Sequence, residues 1–278
     1  MITWPGVLAA GGYDDVIARQ TMRKETVMHE PSFDQYRYFL KDTIRQEIDF
    51  LQTDLHMGVE APPLEKPLPA DAKLLSLTPV GHWEGIEAVA LTTAIGDRQS
   101  RRNFSPQLLT LDELSFLLWA TQGVRQQDTL GAVLRTVPSA GNRHALETYL
   151  AVQRVNGVEP GFYRYLPLEH QLLHLFDEEQ MPGKLTEATL GQTFVGHAAV
   201  VFIWTTIPYR MEWRYGLAAH KVIALDAGHV CQNLYLACEA IGAGTCAVAA
   251  YHQQLMDRLV RVDGQEEFVV YLAPVGKV

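Results

Sequence analysis

The chain has 278 residues, of which 47% are hydrophobic and 20% are charged, a balance typical of a globular protein rather than a disordered or fibrous one. With 32 acidic and 23 basic residues, its formal net charge of −9 makes nucleic acid a poor partner, because phosphate backbones would be repelled. No apolar run approaches the roughly 18 residues that span a bilayer, no secretory signal is evident, and three cysteines are too few for a disulfide framework, so we expect a cytoplasmic protein with no membrane partner.

The first part of the chain, residues 1–85, differs in pattern from the rest. Leucine and isoleucine recur every four residues within residues 39–50 and predict an amphipathic helix there. Repeated proline in residues 61–69 excludes both helix and central strand, and predicts an extended arm lying over another surface. We therefore predict an N-terminal extension over residues 1–85 and a single domain over residues 86–278.

Helices and strands are mixed along the second region. A helix is predicted over residues 86–97, a second one begins at a capping box formed by Thr110 and Glu113, and the clearest helix covers residues 226–241. About five strands complete the pattern, which is typical of an α+β or α/β fold. The predicted strands cover residues 148–153, 162–166, 171–176, 198–207 and 268–273, the last of them ending at Pro274.

The densest basic cluster of this acidic chain comprises Arg98, Arg101 and Arg102. Two guanidiniums and the Ser100 hydroxyl within five residues can bind a phosphate through charge-assisted, bidentate hydrogen bonds. The alternative is a solvated surface cluster, which is the commoner fate of such a run.

A second motif, Pro138-Ser139-Ala140-Gly141, precedes a predicted strand. Small side chains in a tight turn allow backbone amides to approach a flat ligand closely. Without further context, an ordinary turn is the alternative.

Together these segments resemble the nitroreductase superfamily and, within it, the SagB-type dehydrogenases, a branch that includes the azoline oxidases of thiazole- and oxazole-peptide biosynthesis. The resemblance covers roughly residues 86–278. It implies an α+β nitroreductase-like fold, with a central, mostly antiparallel sheet flanked by helices, assembled as an intertwined homodimer. The motifs that carry it, in order, are Arg98–Arg102, Leu118–Gly123, Pro138–Glu147, Pro160–Tyr165, Leu225–Leu234, Gly244–Cys246 and Pro274–Gly276.

The resemblance also implies a function and a cofactor. The protein would transfer two electrons through FMN at the homodimer interface, from NAD(P)H to a small organic acceptor. A donor aimed at flavin N5 would stabilise the reduced flavin. The implied positions are Arg98, Gln99, Ser100 and Arg102 at the ribityl phosphate and pyrimidine edge; Pro138, Ser139, Ala140, Gly141 and Asn142 in a turn from the partner subunit; Val248, Ala249 and Ala250, with the Ala250 amide as the N5 donor; and Lys277 toward the phosphate.

Two departures from the family pattern keep alternatives open. Many members have Glu-Gly where this chain has Ala249-Ala250, so a carboxylate that seats a nicotinamide is absent, and a flavin-binding protein without turnover is one alternative. The azoline oxidases carry a Lys-Tyr pair where this chain has Arg214-Tyr215. Because arginine stays protonated, Tyr215 alone is left as the candidate acid or base, which argues against azoline oxidation. A scaffold subunit of a peptide-modifying, azoline-forming assembly is the other alternative. No metal-site spacing is present.

Overall fold

The computed structural model describes residues 32–127 and 133–278. Two compact units are distinguished, residues 1–39 and residues 40–278. Helix α1 (Phe33–Leu40) covers the described end of the first unit and ends at the first residue of the second unit, and its side chains are exposed. Residues 1–31 of the predicted N-terminal extension lie outside the described residues.

The second unit is built on an antiparallel sheet. The strands of the described chain are β1 (Lys73–Ser76), β2 (Val124–Gln127), β3 (Val133–Arg135), β4 (Leu146–Val152), β5 (Gly161–Leu166), β6 (Gln171–Phe176), β7 (Val200–Thr206), β8 (Ala243–Thr245) and β9 (Phe268–Lys277). Seven of them form one sheet in the order β1-β6-β5-β4-β7-β9-β8, with every described pairing antiparallel, and β2 and β3 form a separate pair.

Helices flank this sheet. Those of the second unit are α2 (Leu91–Asp97), α3 (Leu111–Gln122), α4 (Met181–Ala188), α5 (Thr193–Gly196), α6 (Tyr209–Tyr215), α7 (Ala219–Glu239) and α8 (Gln253–Val260). Short 3₁₀ helices cover Thr43–Glu47, Phe50–Gln52, Ala140–Asn142 and Gly216–Ala218.

The inner part of the sheet is buried on both faces, as strand β7 shows. All its residues are buried, and successive side chains point to opposite faces. Phe202 and Trp204 belong to one hydrophobic core with α3 and α7, whereas Val201 and Ile203 belong to a second core with α4 and α8. The α+β fold with a mostly antiparallel sheet between helices is therefore confirmed, as is the capping box of Thr110 and Glu113, both of whose hydrogen bonds are formed.

The helix predicted over residues 39–50 is wrong. The chain there leaves α1 at Leu40 and continues in two 3₁₀ helices. The short side chain of Asp49 gives the backbone another partner, because it accepts a hydrogen bond from the amide of Leu51. Asp42 accepts a hydrogen bond from the side chain of Arg45. Such local bonds compete with a continuous helix.

Two further helices have different starts from those predicted. The helix predicted over residues 86–97 begins only at Leu91, because the Glu87 amide donates to the Ala240 carbonyl at the end of α7 and holds the preceding residues extended. The helix predicted over residues 226–241 begins seven residues earlier, at Ala219, because the chain there has good helix formers and no stop signal.

The strands differ from prediction mainly at short or proline-containing segments. Strands β1, β2, β3 and β8 are three or four residues long, too short for a periodic pattern. The last strand was expected to end at Pro274 but continues to Lys277. Pro274 lies opposite Val201, and the residues after it still pair with β7 and β8, so one missing amide does not end the strand.

The proline-rich segment, residues 61–69, forms neither helix nor strand and lies beside three buried arginines, Arg135, Arg164 and Arg210, called here the Arg135 cluster; the first two bind the segment directly and the third acts through Glu147. Arg135 donates to the Leu64 carbonyl at 3.3 Å, and Arg164 donates to the Lys66 and Pro67 carbonyls at 3.1 and 3.2 Å. Arg210 pairs with buried Glu147 at 2.6 Å, and Glu147 also accepts from the Lys66 amide at 3.2 Å.

Residues 64–67 are thus attached to the sheet region by polar contacts, and residues 73–76 by the pairing of β1 with β6. The predicted division of the chain at residue 85 stays a prediction.

Candidate functional site

Arg98, Arg101 and Arg102, called here the Arg98 cluster, follow directly after α2. Arg98 is the residue that ends the helix, and its amide donates to the Ala94 carbonyl. The guanidinium of Arg98 lies over the Tyr235 ring, 5.3 Å from its centroid, and that of Arg102 lies over the Phe194 ring at 5.8 Å. Within residues 32–127 and 133–278, none of the three guanidiniums makes a hydrogen bond or an ion pair. Their charge is therefore not neutralised by a direct protein partner.

The Arg98 cluster runs beside β8 and the loop that follows it. Ser100 forms a parallel bridge with Thr245, and the Arg101 amide donates to the Thr245 carbonyl at 2.9 Å. Gly244 permits this approach, since a Cβ at that position would overlap the side chain of Arg101. Two segments predicted to contact one cofactor, 145 positions apart at Ser100 and Thr245, are thus adjacent in the fold.

The loop after β8 offers free backbone donors. Val248 is fixed by two hydrogen bonds with Leu272, at 2.8 and 3.2 Å. Ala249 and Ala250, which come next, are exposed. In the described part of the chain, neither of their amides donates to a protein acceptor, while the Ala250 carbonyl accepts from Gln192 at 2.8 Å. The loop is thus held in place at Val248, and the amides of Ala249 and Ala250 are not used by protein acceptors among the described residues.

The turn at residues 138–142 is fixed by its own polar side chains. Gly141 and Asn142 have φ values of 56° and 58°, and Asn142 Oδ1 lies 2.7 Å from His144 Nε2. The Ser139 hydroxyl accepts from the His144 amide at 2.9 Å. Burial lowers the pKa of His144 to about 3, so its ring is neutral at physiological pH and serves the turn.

Asp226 of α7 attaches this turn to the helix. Its carboxylate accepts from the Ala140 amide at 3.3 Å and is hydrogen-bonded to Ser139. Burial raises the pKa of Asp226, although these two hydrogen bonds oppose the shift. Nine residues separate Asp226 from Tyr235 on the same helix, which corresponds to about 14 Å along its axis. The turn and the Arg98 cluster therefore lie at different heights of α7.

Tyr215, the predicted acid or base, lies against this turn and not against the Arg98 cluster. A Cβ at Gly141 would overlap the Tyr215 hydroxyl and the Arg214 side chain, so glycine is needed there for space as well as for its positive φ. The Arg214 guanidinium lies 5.6 Å from the centroid of the Tyr215 ring.

The Lys277 ammonium donates to the Glu113 carboxylate and to the Ile241 carbonyl. These contacts connect the end of β9 with the start of α3 and the segment after α7. A role for Lys277 at a phosphate stays a prediction.

Tyr235 is the residue that the sequence patterns missed. Its hydroxyl accepts from the Ala247 amide at 2.8 Å and lies 2.9 Å from Ser100 Oγ, so it touches both segments of the site. Because Tyr235 lies on the buried side of α7, its position in the sequence is typical of an ordinary core residue. The three cysteines are buried and unpaired, as expected for small core residues.

Within the described residues, no helix combines the length and the apolar composition that a bilayer crossing requires.

The comparisons with known proteins agree with this geometry. The family model "Nitroreductase family" matches residues 95–277. Putative nitroreductase MJ1384 of Methanocaldococcus jannaschii is 34% identical over 192 residues, which is 69% of this chain and 93% of that protein. Trifolitoxin-processing protein TfxB of Rhizobium leguminosarum is 26% identical over 235 residues, which is 80% of this chain and 61% of that protein.

Solved structures share the fold. The crystal structure of a putative nitroreductase from Ralstonia eutropha has a TM-score of 0.61 at 25% identity. The match covers 79% of this chain and 98% of that chain. A chain of the Escherichia coli microcin synthetase McbBCD complex, with truncated pro-MccB17 bound, has a TM-score of 0.56 at 18% identity. The match covers 90% of this chain and 98% of that chain, and it shows the fold alone. From the match over residues 95–277 and the similarity to the archaeal protein, the chain belongs to the nitroreductase family and is an oxidoreductase.

Proposed function

We propose that this protein is an FMN-dependent oxidoreductase of the SagB-type branch, which transfers two electrons from NAD(P)H to a small organic acceptor. One observation carries the proposal: in the described part of the chain, three arginines whose guanidiniums have no hydrogen-bond or ion-pair partner lie in a segment beside a loop with two amides that have no protein acceptor. When bound, FMN would supply the hydride chemistry, and the protein would bind and orient the reactants.

The residues present fit this cofactor. A phosphate dianion needs local positive charge in a chain of net charge −9, and the Arg98 cluster offers it without first breaking an ion pair. Arg98, Gln99, Ser100 and Arg102 would bind the ribityl phosphate and the pyrimidine edge, and the resemblance adds Lys277. Hydride transfer to the flavin ring itself needs no general acid or base. Tyr215 is therefore proposed only as a residue that moves a proton of the substrate.

Backbone donors would serve the redox-active ring. Val248 is held by Leu272, and the free amides of Ala249 and Ala250 follow it. We assign the Ala250 amide as the donor to flavin N5. A donor fixed in this way stabilises the negative charge of the reduced ring without reorganising during the reaction.

A homodimer would complete the site. The turn from Pro138 to Asn142 lies about 14 Å along α7 from Tyr235, which supports its serving the flavin of the partner subunit rather than its own. Exposed apolar side chains support a subunit contact as well: Leu91 and Ile95 on α2 are 65% and 57% exposed, and Leu91 lines an apolar groove of about 540 Å³ between α2, α3 and α7.

The similarity to the trifolitoxin-processing protein supports the SagB-type branch, in which relatives modify peptides. Because Ala249 has no carboxylate, the nicotinamide lacks one of the groups that bind it in other members of the family. Reduction by NADH and by NADPH is therefore tested separately from FMN binding. The scaffold alternative requires a protein that does not bind flavin, and the storage alternative requires bound flavin that no nicotinamide reduces.

An absorption spectrum of the purified full-length protein tests the proposal, followed by anaerobic titration with NADH and NADPH. We expect a yellow protein that releases FMN on denaturation, is bleached by one or both nicotinamides, and regains its colour with an added nitroaromatic or quinone acceptor. A protein that stays colourless after incubation with FMN would contradict the proposal and favour a scaffold. Bound FMN that only dithionite bleaches would favour storage.

A further inference from the structure

Tyr235 occupies the junction between the two segments of the proposed flavin site. Its side chain is on α7, and the residue is 9% exposed. The hydroxyl is 2.8 Å from the Ala247 amide nitrogen and 2.9 Å from Ser100 Oγ, while the Arg98 guanidinium lies over the ring at 5.3 Å. One side chain thus contacts the arginine-containing segment by its face and by its hydroxyl, and the amide-donor loop by its hydroxyl.

The direction of these hydrogen bonds follows from what each group can do. A backbone amide can only donate, so the Tyr235 hydroxyl accepts from Ala247. In the described chain the remaining acceptor within reach of the Tyr235 hydroxyl hydrogen is Ser100 Oγ. An unsatisfied buried donor is costly, so the arrangement in which Tyr235 donates to Ser100 is favoured. The hydroxyl hydrogen of Ser100, which is exposed, is then left to point outward to a ligand.

We propose that Tyr235 is a positioning residue that fixes Ser100 as a hydrogen-bond donor toward the cofactor and fixes the start of the loop that carries the Ala249 and Ala250 amides. The inference rests on the proposed FMN site. It couples two properties that otherwise have separate causes, the affinity for FMN and the reduction potential of the bound flavin.

The test compares Tyr235→Phe with the wild type in the full-length protein. Phenylalanine keeps the ring under Arg98 and removes only the hydroxyl. With one hydrogen-bonded network lost, we expect FMN affinity, measured by quenching of FMN fluorescence, to fall about 5- to 20-fold. We also expect a more negative reduction potential and a shifted flavin absorption band, because the loop loses the hydrogen bond at Ala247 that helps to position its amides, while the bonds between Val248 and Leu272 remain.

Two further variants separate positioning from general stability. Ser100→Ala combined with Tyr235→Phe should bind FMN little more weakly than Tyr235→Phe alone, since the two residues act through one chain of hydrogen bonds. Tyr163→Phe is the matched control: this tyrosine lies on β5, its hydroxyl donates to the Glu159 carbonyl at 2.8 Å, and its loss should leave FMN affinity and potential unchanged.

The outcomes distinguish the two levels of the account. A wild type that does not bind FMN contradicts the proposed function itself. A wild type that binds FMN, with Tyr235→Phe at wild-type affinity, potential and spectrum, overturns the role of Tyr235 alone. A lower melting temperature of Tyr235→Phe with unchanged flavin properties shows a purely structural residue and also overturns it.

Discussion

The Arg98 cluster and the Arg135 cluster each contain three arginines, and they differ in what surrounds them. Arg135, Arg164 and Arg210 are 5%, 4% and 2% exposed, and their guanidiniums bind backbone carbonyls, Gln122 and Glu147. In the Arg98 cluster, the guanidiniums of Arg98 and Arg102 contact aromatic rings, and none of the three has a hydrogen-bond acceptor among the described residues. The first set is used for folding, whereas the second is free to bind an anion.

Burial has a measurable consequence in the Arg135 cluster. It lowers the pKa of Arg135 to about 10, and the nearby Glu147 and Glu65 carboxylates oppose that shift. Each of the three guanidiniums also leaves one buried nitrogen without an acceptor in the described chain. Such a cluster depends on its counter-charges, so its removal should be felt in stability and not in ligand binding.

The largest expected effect follows from breaking the buried pair of Arg210 and Glu147. Arg210→Ala leaves Glu147 buried and unpaired, and should lower the free energy of unfolding by about 3–5 kcal/mol in urea denaturation. Arg98→Ala, measured in the same flavin-free protein, should change it by no more than about 0.5 kcal/mol. If Arg210→Ala does not fold, Glu147→Gln provides the measurement. Equal effects at Arg210 and Arg98 would contradict the distinction between the clusters.

A smaller effect concerns Glu65, which accepts from the Leu168 amide at 2.7 Å beside the Arg135 cluster. Burial raises the pKa of Glu65 from 4.5 to about 7. Between these values the folded protein keeps a proton that the unfolded chain has lost, so this group's contribution to stability falls as the pH rises from about 4.5 to about 7.

Glu65→Gln should remove that contribution. Its melting temperature should match the wild type near pH 4 and exceed it by a few degrees at pH 8, whereas Glu179→Gln, at an exposed position that does not act on Glu65, should follow the wild type throughout. A wild type and Glu65→Gln with parallel pH profiles would show that Glu65 is ionised like a surface carboxylate.

The comparison also explains what the sequence could predict. The Arg98 cluster lies within five consecutive residues, and its density is visible without a structure. The Arg135 cluster is assembled from β3, β5 and α6, so its members are up to 75 residues apart and no local pattern joins them. Tyr235 could not be predicted for the same reason, because its contact partner Ser100 is 135 residues away in the sequence.

Periodic segments were predictable and short ones were not. The buried strand β7 and the hairpin strands β5 and β6 lie close to their predicted positions, because a continuous apolar run and a turn signal mark them. The three-residue β8, which places Thr245 beside Ser100, has no such mark. Strand β8 is held in the sheet by its pairing with β9, which is a long-range contact that the sequence pattern does not show.

The most direct test of the central claim compares FMN with riboflavin, which lacks the phosphate, for binding to the wild type, Arg98→Ala, Arg102→Ala and the exposed-arginine control Arg258→Ala. Charge-assisted bonds from the Arg98 cluster should make the wild type and the control prefer FMN by about 10- to 100-fold. Arg98→Ala and Arg102→Ala should each reduce that preference several-fold while leaving riboflavin binding nearly unchanged. Equal affinities of the wild type for both flavins, or a preference for FMN that survives in both variants, would contradict the assignment of the phosphate to these arginines.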